Sequence, residues 1–107
     1  MIVRFTYNAI RYILVVVIVS FRCQETEKVF NRERSRKFVN IERVAYRHLR
    51  YLHDAESLSD LAGAGMSLEA LKRDRKGRHA IRVSGQYRIC FTWRDGKASD
   101  VEIVDYH

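Results

Sequence analysis

The stretch Gln86-Tyr-Arg-Ile-Cys-Phe-Thr-Trp93, followed by Asp95-Gly96 and then Ser99 to Asp105 (SDVEIVD), decides the architecture of this chain. In an extended segment, successive side chains point to opposite faces. Tyr87, Ile89, Phe91 and Trp93 therefore form an apolar row, with Arg88, Cys90 and Thr92 on the other side. Asp95-Gly96 is the dipeptide that a two-residue hairpin favours, because both central positions take positive φ. Ser99 to Asp105 is the returning strand. Upstream, Ala80 to Val83 reads as a further strand, joined to the first by a two-residue turn at Ser84-Gly85. The C-terminal third is thus an antiparallel meander.

Working back from the meander, Phe38 to His53 carries a helical pattern. Ile41, Ala45, Leu49 and Leu52, with Val44 beside them, make one apolar stripe. Arg43, Arg47 and Arg50 fall on the outer side. Asn40 is placed to N-cap this helix, with Glu42 in its first turn. Gln24 to Phe30 predicts a short helix with Val29 and Phe30 turned inward. Between the two helices lies a basic connector, Asn31 to Lys37, and after them a loop, Ala55 to Ser67, with no more than a turn around Leu58 and Leu61. Val15 to Phe21 is β-branched and reads as a strand. The order strand, helix, helix, meander gives an α+β fold, with two N-terminal helices packed on an antiparallel or mixed sheet.

Composition narrows the function. The 107 residues make one small domain, and 47% hydrophobic content suffices for a core. Twenty Lys and Arg against 13 Asp and Glu leave a net charge of +7, which points to nucleic acid, an anionic membrane surface or an acidic protein. The apolar run Tyr12 to Val19 (YILVVVIV) is far short of the roughly 20 residues of a spanning helix. No small-residue cleavage site follows it, so membrane insertion is set aside. Cys23 and Cys90 stand far apart, outside any CxxC pattern, as ordinary thiols of a reducing, cytoplasmic compartment. His48, His53, His79 and His107 have no metal-ligand spacing among them, and neither a metal nor a cofactor is expected.

Two places could carry chemistry. Leu68 to Gly77 (LEALKRDRKG) continues into Arg78, so that Lys72, Arg73, Arg75, Lys76 and Arg78 crowd into a short loop beside the sheet. Such a loop suits phosphate contacts, although a solvated charged loop would look the same. Arg88 projects away from the apolar row and is not needed for the core. The sequence ends on Asp105-Tyr106-His107, which can accept protons, stack on bases and donate protons.

The segments FRCQETEKVF (21–30), FVNIERVAYRHL (38–49), LEALKRDRKG (68–77), YRICFTW (87–93) and VEIVDYH (101–107) resemble the HigB toxins of the RelE/ParE toxin superfamily. The resemblance implies a small RelE-like fold over 17–107. It implies metal-free, ribosome-dependent cleavage of mRNA in the A site, and a HigA-like helix-turn-helix antitoxin as partner. Carried over by position, the family's functional set falls on Lys72, Arg88, Asp105, Tyr106 and His107. Arg43, Arg47, Arg50, Arg73, Arg75, Lys76 and Arg78 would then face ribosomal RNA, and operator DNA would be met only through the antitoxin. Glu69 stands where some members carry a histidine, which removes an imidazole from the set. Rival readings are a ParE-like toxin acting on gyrase and a basic nucleic-acid-binding module without catalysis.

Val17-Ile-Val-Ser-Phe21 occupies the place where members of that family begin Met-Ile-x-Ser-Phe, so residues 1–16 are expected to be an upstream extension outside the fold. The intact mass of the natively expressed protein checks this expectation. A species retaining Tyr12 to Val16 contradicts it.

Overall fold

A computed structural model describes residues 18–72 and 77–106. The expected extension (1–16), most of the basic loop (Arg73, Arg75 and Lys76) and the terminal His107 lie outside the described residues. The elements run α1 (Gln24–Phe30), a 3₁₀ turn (Val39–Ile41), α2 (Glu42–Asp54), α3 (Leu58–Gly63), β1 (Glu69–Ala70), β2 (Arg78–Arg82), β3 (Tyr87–Arg94) and β4 (Lys97–Asp105). The strands form one antiparallel sheet in the order β1-β2-β3-β4.

The period-two reading of the meander holds. Ile89 and Phe91 are fully buried, and Tyr87 and Trp93 pack against the same core. Asp95 and Gly96 both take positive φ, at 54° and 74°, between the paired Arg94 and Lys97. That geometry matches the twist of the flanking strands. Farther along, between the pairs Thr92–Ser99 and Cys90–Glu102, β4 has two residues (Asp100 and Val101) where β3 has one (Phe91). The extra residue, Asp100, takes φ 50°. This bulge lets Ala98 and Val101 both point inward, ahead of Ile103.

Helix α1 has the predicted bounds, with Val29 buried and Phe30 packed at the core edge. In α2 the stripe Ala45, Leu49 and Leu52 is fully buried, and Ile41 and Val44 pack partly against it. These helix residues share one core with Ile81, Ile89, Phe91, Val101 and Ile103 of the sheet. The helices therefore cover one sheet face. Among the described residues no helix is long and apolar enough to cross a membrane, and both cysteines are free thiols.

Several expectations are corrected. Asn40 does not cap α2: it lies inside the 3₁₀ turn, and the helix starts after Ile41 without a side-chain cap. Ser35, buried, anchors this entry instead. Its N–H donates to the Glu42 carboxylate (2.8 Å), its hydroxyl donates to Glu25 (2.8 Å), and the same oxygen accepts the Phe38 N–H (3.3 Å). The Ser35 hydroxyl, then Lys28, holds the Glu25 carboxyl below its usual range. The stretch 55–67 is more than a loop, because Leu58–Gly63 forms a third helix. Asp60 accepts the N–H groups of Glu56 (2.9 Å) and Ser57 (3.3 Å) at its start, and Leu61 is buried. Of the strand expected over Val15 to Phe21, the described part makes two isolated parallel bridges to β4, Ile18 to Ala98 and Phe21 to Val101. Among the described residues the sheet is thus mixed only at that margin.

Arg78, grouped above with the surface cations, is 8% exposed. Its guanidinium donates to Thr92 Oγ1 (3.2 Å), the Asp100 carbonyl (3.0 Å) and Glu102 Oε2 (3.0 Å). It holds the β4 bulge against β2 and is spent on the fold. Arg78→Met should therefore lower stability by about 2 kcal/mol, since it leaves the half-buried Glu102 carboxylate with Arg22 alone (3.3 Å) and takes the guanidinium donors from Thr92 and the Asp100 carbonyl. The reading is a lower urea midpoint at unchanged slope.

His53 and His79 each bury Nδ1 with no hydrogen-bond partner among the described residues. His79 stacks on Phe91 (6.0 Å between rings) and His53 packs against Phe30 (5.2 Å). Burial lowers both pKa values, and Arg50 adds to the effect at His53. The unfolded chain then takes up protons below about pH 6.5 that the folded one refuses. Stability should fall as the pH drops from that value through the depressed folded ones. His79→Gln should flatten the slope in a urea series across this range.

Candidate functional site

The face of the sheet turned away from the helices holds the candidate chemistry. Leu71, Ala80 and Cys90, with Val104, form a small apolar patch there. Arg88 is paired with Val104 across the β3–β4 ladder and stands at the edge of this patch. Its Nη1 donates to the carbonyls of Ser84 (3.0 Å) and Tyr87 (3.3 Å). Its guanidinium carbon lies 4.9 Å from the centre of the Tyr106 ring. Tyr106 is drawn there because its N–H donates to the Gln86 carbonyl (2.6 Å) just beyond the end of β4. The cation is thus aimed by two carbonyls and an aromatic face, and its other nitrogens are hydrogen-bonded to no described residue.

The structure brings the remaining predicted residues to this end to different degrees. Asp105 is paired with Tyr87, so alternation turns it toward the opposite face from Arg88 and Tyr106. Its carboxylate accepts from Gln86 Nε2 (3.1 Å) at the rim. Lys72 is exposed and directly follows Leu71 of the apolar patch. Glu69 is paired with Ala80 and shares the Arg88 side of the sheet. On α2, Arg43 and Arg47 are exposed. Arg50 is half-buried, pairs with Asp54 (3.6 Å) and lies over Phe30 (5.7 Å).

Two residues escaped the sequence reading. Arg82 is exposed and directly paired with Arg88, on the same face. Like charges set opposite each other cost stability, and an anion between them offsets that cost. A two-residue turn at Ser84-Gly85 would pair Arg82 with Tyr87 and place it on the wrong face. The actual loop spans Ser84 to Gln86, with Ser84 Oγ accepting the N–H groups of Gln86 and Tyr87 (3.2 Å each). The second is Tyr51, 53% exposed one turn beyond Arg47. An Arg–Tyr succession on a helix face was visible at spacing four.

A basic α+β chain with a cation seated on a tyrosine at the end of its last strand can now be compared with known proteins. Residues 19–107 match the family model described as the RelE-like toxin of the type II toxin–antitoxin system HigB. The chain belongs to the HigB-like toxin family. It is also similar to Toxin HigB-1 of Vibrio cholerae serotype O1, with 33% identity over 81 residues covering 73% of this chain and 85% of that protein. As a toxin of a type II system it has an antitoxin partner. In this toxin the matched region takes in every described element and reaches through Tyr106 and His107.

Proposed function

We propose that this HigB-like toxin is a ribosome-dependent endoribonuclease that cuts translated mRNA in the A site, in the cytoplasm, without metal. The observation that carries the reading is Arg88, aimed by two carbonyls and seated on Tyr106 beside a second guanidinium, Arg82. In this reaction the 2′-OH of a nucleotide attacks its own 3′ phosphate. The phosphorus–5′-oxygen bond breaks, leaving a 2′,3′-cyclic phosphate and a free 5′-OH. Arg88 and Lys72 stabilise the charge that develops on the non-bridging oxygens. His107, or Asp105 reaching round the sheet rim from the opposite face, takes the 2′-OH proton and returns one to the leaving oxygen. Tyr106 orients a base or the sugar while it holds Arg88 in place.

The scarcity of protein groups suits a substrate held by the ribosome, because positioning supplies a large share of such a rate. Arg43, Arg47 and Arg50 of α2, together with Arg73, Arg75 and Lys76, are proposed as ribosomal RNA contacts. Tyr51 adds a stacking surface to the α2 set. Arg78 does not belong to it, because it is buried and bonded to Thr92, Asp100 and Glu102. The antitoxin is proposed to be a HigA-like helix-turn-helix protein.

Arg88→Ala and a chain ending at Asp105 remove groups outside the main core, so both should fold and bind ribosomes. In a translation extract each should cut mRNA at least about 10²-fold more slowly than the wild type. Wild-type fragments should carry a 5′-OH. Glu69→His should raise the rate or leave it unchanged. Full toxicity of the truncated and Arg88→Ala chains in cells would overturn the ribonuclease reading and favour a gyrase target.

A further inference from the structure

On the helix-bearing side, between the end of α1 and the first turns of α2, lies an open cleft of about 400 Å³. Val29 and Tyr46 give it an apolar floor, and Arg32, Arg34 and Arg43 stand around it. Helix α1 ends in a Schellman motif: the Arg32 N–H donates to the Val29 carbonyl (3.1 Å) and the Glu33 N–H to the Lys28 carbonyl (2.8 Å). This geometry puts Arg32 at φ 62°, a position where glycine is preferred because an L side chain is strained there. The arginine at that position has its guanidinium carbon 4.3 Å from the centre of the Tyr46 ring. A residue kept against its backbone preference points to a role for its side chain. Glu33 and Glu42 also line the cleft. Charges of both signs thus stand around one hollow, yet none of them makes an ion pair among the described residues.

We infer that this cleft seats one unpaired nucleotide of a single-stranded RNA. A ligand suited to unpaired charges of both signs carries an anion at one end and N–H donors at the other. A nucleotide does: its phosphate meets Arg34 and Arg43, and the amino group of its base meets Glu33. The Glu33 carboxylate is exposed and accepts from no described residue, whereas Glu42 already accepts the Ser35 N–H. Held on Tyr46, the planar guanidinium of Arg32 offers the base a face to stack on. The volume falls within the roughly 300–1,000 Å³ of small-ligand sites. A strand fits better than a free nucleotide, because the cleft is open and Arg43 is continued along α2 by exposed Arg47 and Tyr51 at spacing four. Cations and an aromatic ring in succession suit the neighbouring nucleotides of one strand. Uracil has no amino group, so Glu33 selects against it. The cleft lies in the helix layer, across the sheet from Arg88 and Tyr106, and the proposal goes beyond the ribonuclease reading.

The test measures binding of labelled hexaadenylate, hexacytidylate and hexauridylate to the purified toxin by fluorescence anisotropy. No ribosome and no cleavage enter the measurement, so failure of the ribonuclease reading leaves its result standing. The adenylate and cytidylate should bind about fivefold or more tighter than the uridylate, which reports the background of the other cations. Arg32→Gly should fold, since glycine takes φ 62° without strain, yet bind hexaadenylate about tenfold more weakly. Arg32→Lys keeps the charge and loses the plane, so it should not restore that affinity. Glu33→Ala should erase the preference for adenylate over uridylate. Wild-type affinity in Arg32→Gly, or an unchanged preference in Glu33→Ala, overturns the proposal. Full affinity in Arg32→Lys also overturns it, by making the cleft a site for charge alone. So does inorganic phosphate that displaces hexaadenylate as readily as adenosine monophosphate does. Adenosine monophosphate that binds as tightly as hexaadenylate assigns the cleft to a free nucleotide and overturns the strand.

Discussion

The three-residue loop Ser84 to Gln86 sets the register of β2 against β3, and the arrangement of the molecule follows from that register. Ser84 supplies the constraint, with one hydroxyl oxygen accepting two successive backbone N–H groups. Because side chains alternate with period two, a slip of one residue moves every side chain of a strand to the opposite face. In the observed register Ile81 meets Ile89 in the core, and Arg82 meets Arg88 outside it. The slipped register would set Arg82 against Tyr87, directed into the helix layer. A buried unpaired guanidinium there would be costly, so the apolar core and the cationic face enforce the same register.

The sheet thus separates two environments. The helix side holds the fully buried side chains of α2, β3 and β4 in one core. The other side has only a small apolar patch, bordered by cations with opposite fates. Arg78 is consumed by Thr92, Asp100 and Glu102 and fastens the β4 bulge. Arg88 donates to two carbonyls and lies over Tyr106, and its other nitrogens are bonded to no described residue. Burial and hydrogen-bond partners distinguish the two arginines; charge alone does not.

Much of this was legible in the residues themselves. The alternation in Tyr87 to Trp93, the Asp95-Gly96 turn, the bounds of α1 and the stripe of α2 are local or periodic, and short-range sterics suffice to encode them. Helix α3 was not legible, because its six residues are too short for a periodic signal and its start depends on the local bonds of Asp60. Asn40 had the chemistry of a cap, but Ser35, reaching both Glu25 and Glu42, anchored the chain differently.

The sequence by itself determined the antiparallel meander, the helices on one of its faces, the excess of positive charge and the terminal Asp-Tyr-His. Tertiary structure alone decided which cations share a face. The burial of Arg78, the pairing of Arg82 with Arg88, the turn of Asp105 away from Arg88 and the seating of Arg32 over Tyr46 all depend on register, on a bulge or on a helix end. Each joins residues distant in the chain or backbone conformations that depend on context. Periodicity reports the side of its own element that a residue occupies; only strand pairing and packing determine what lies opposite it.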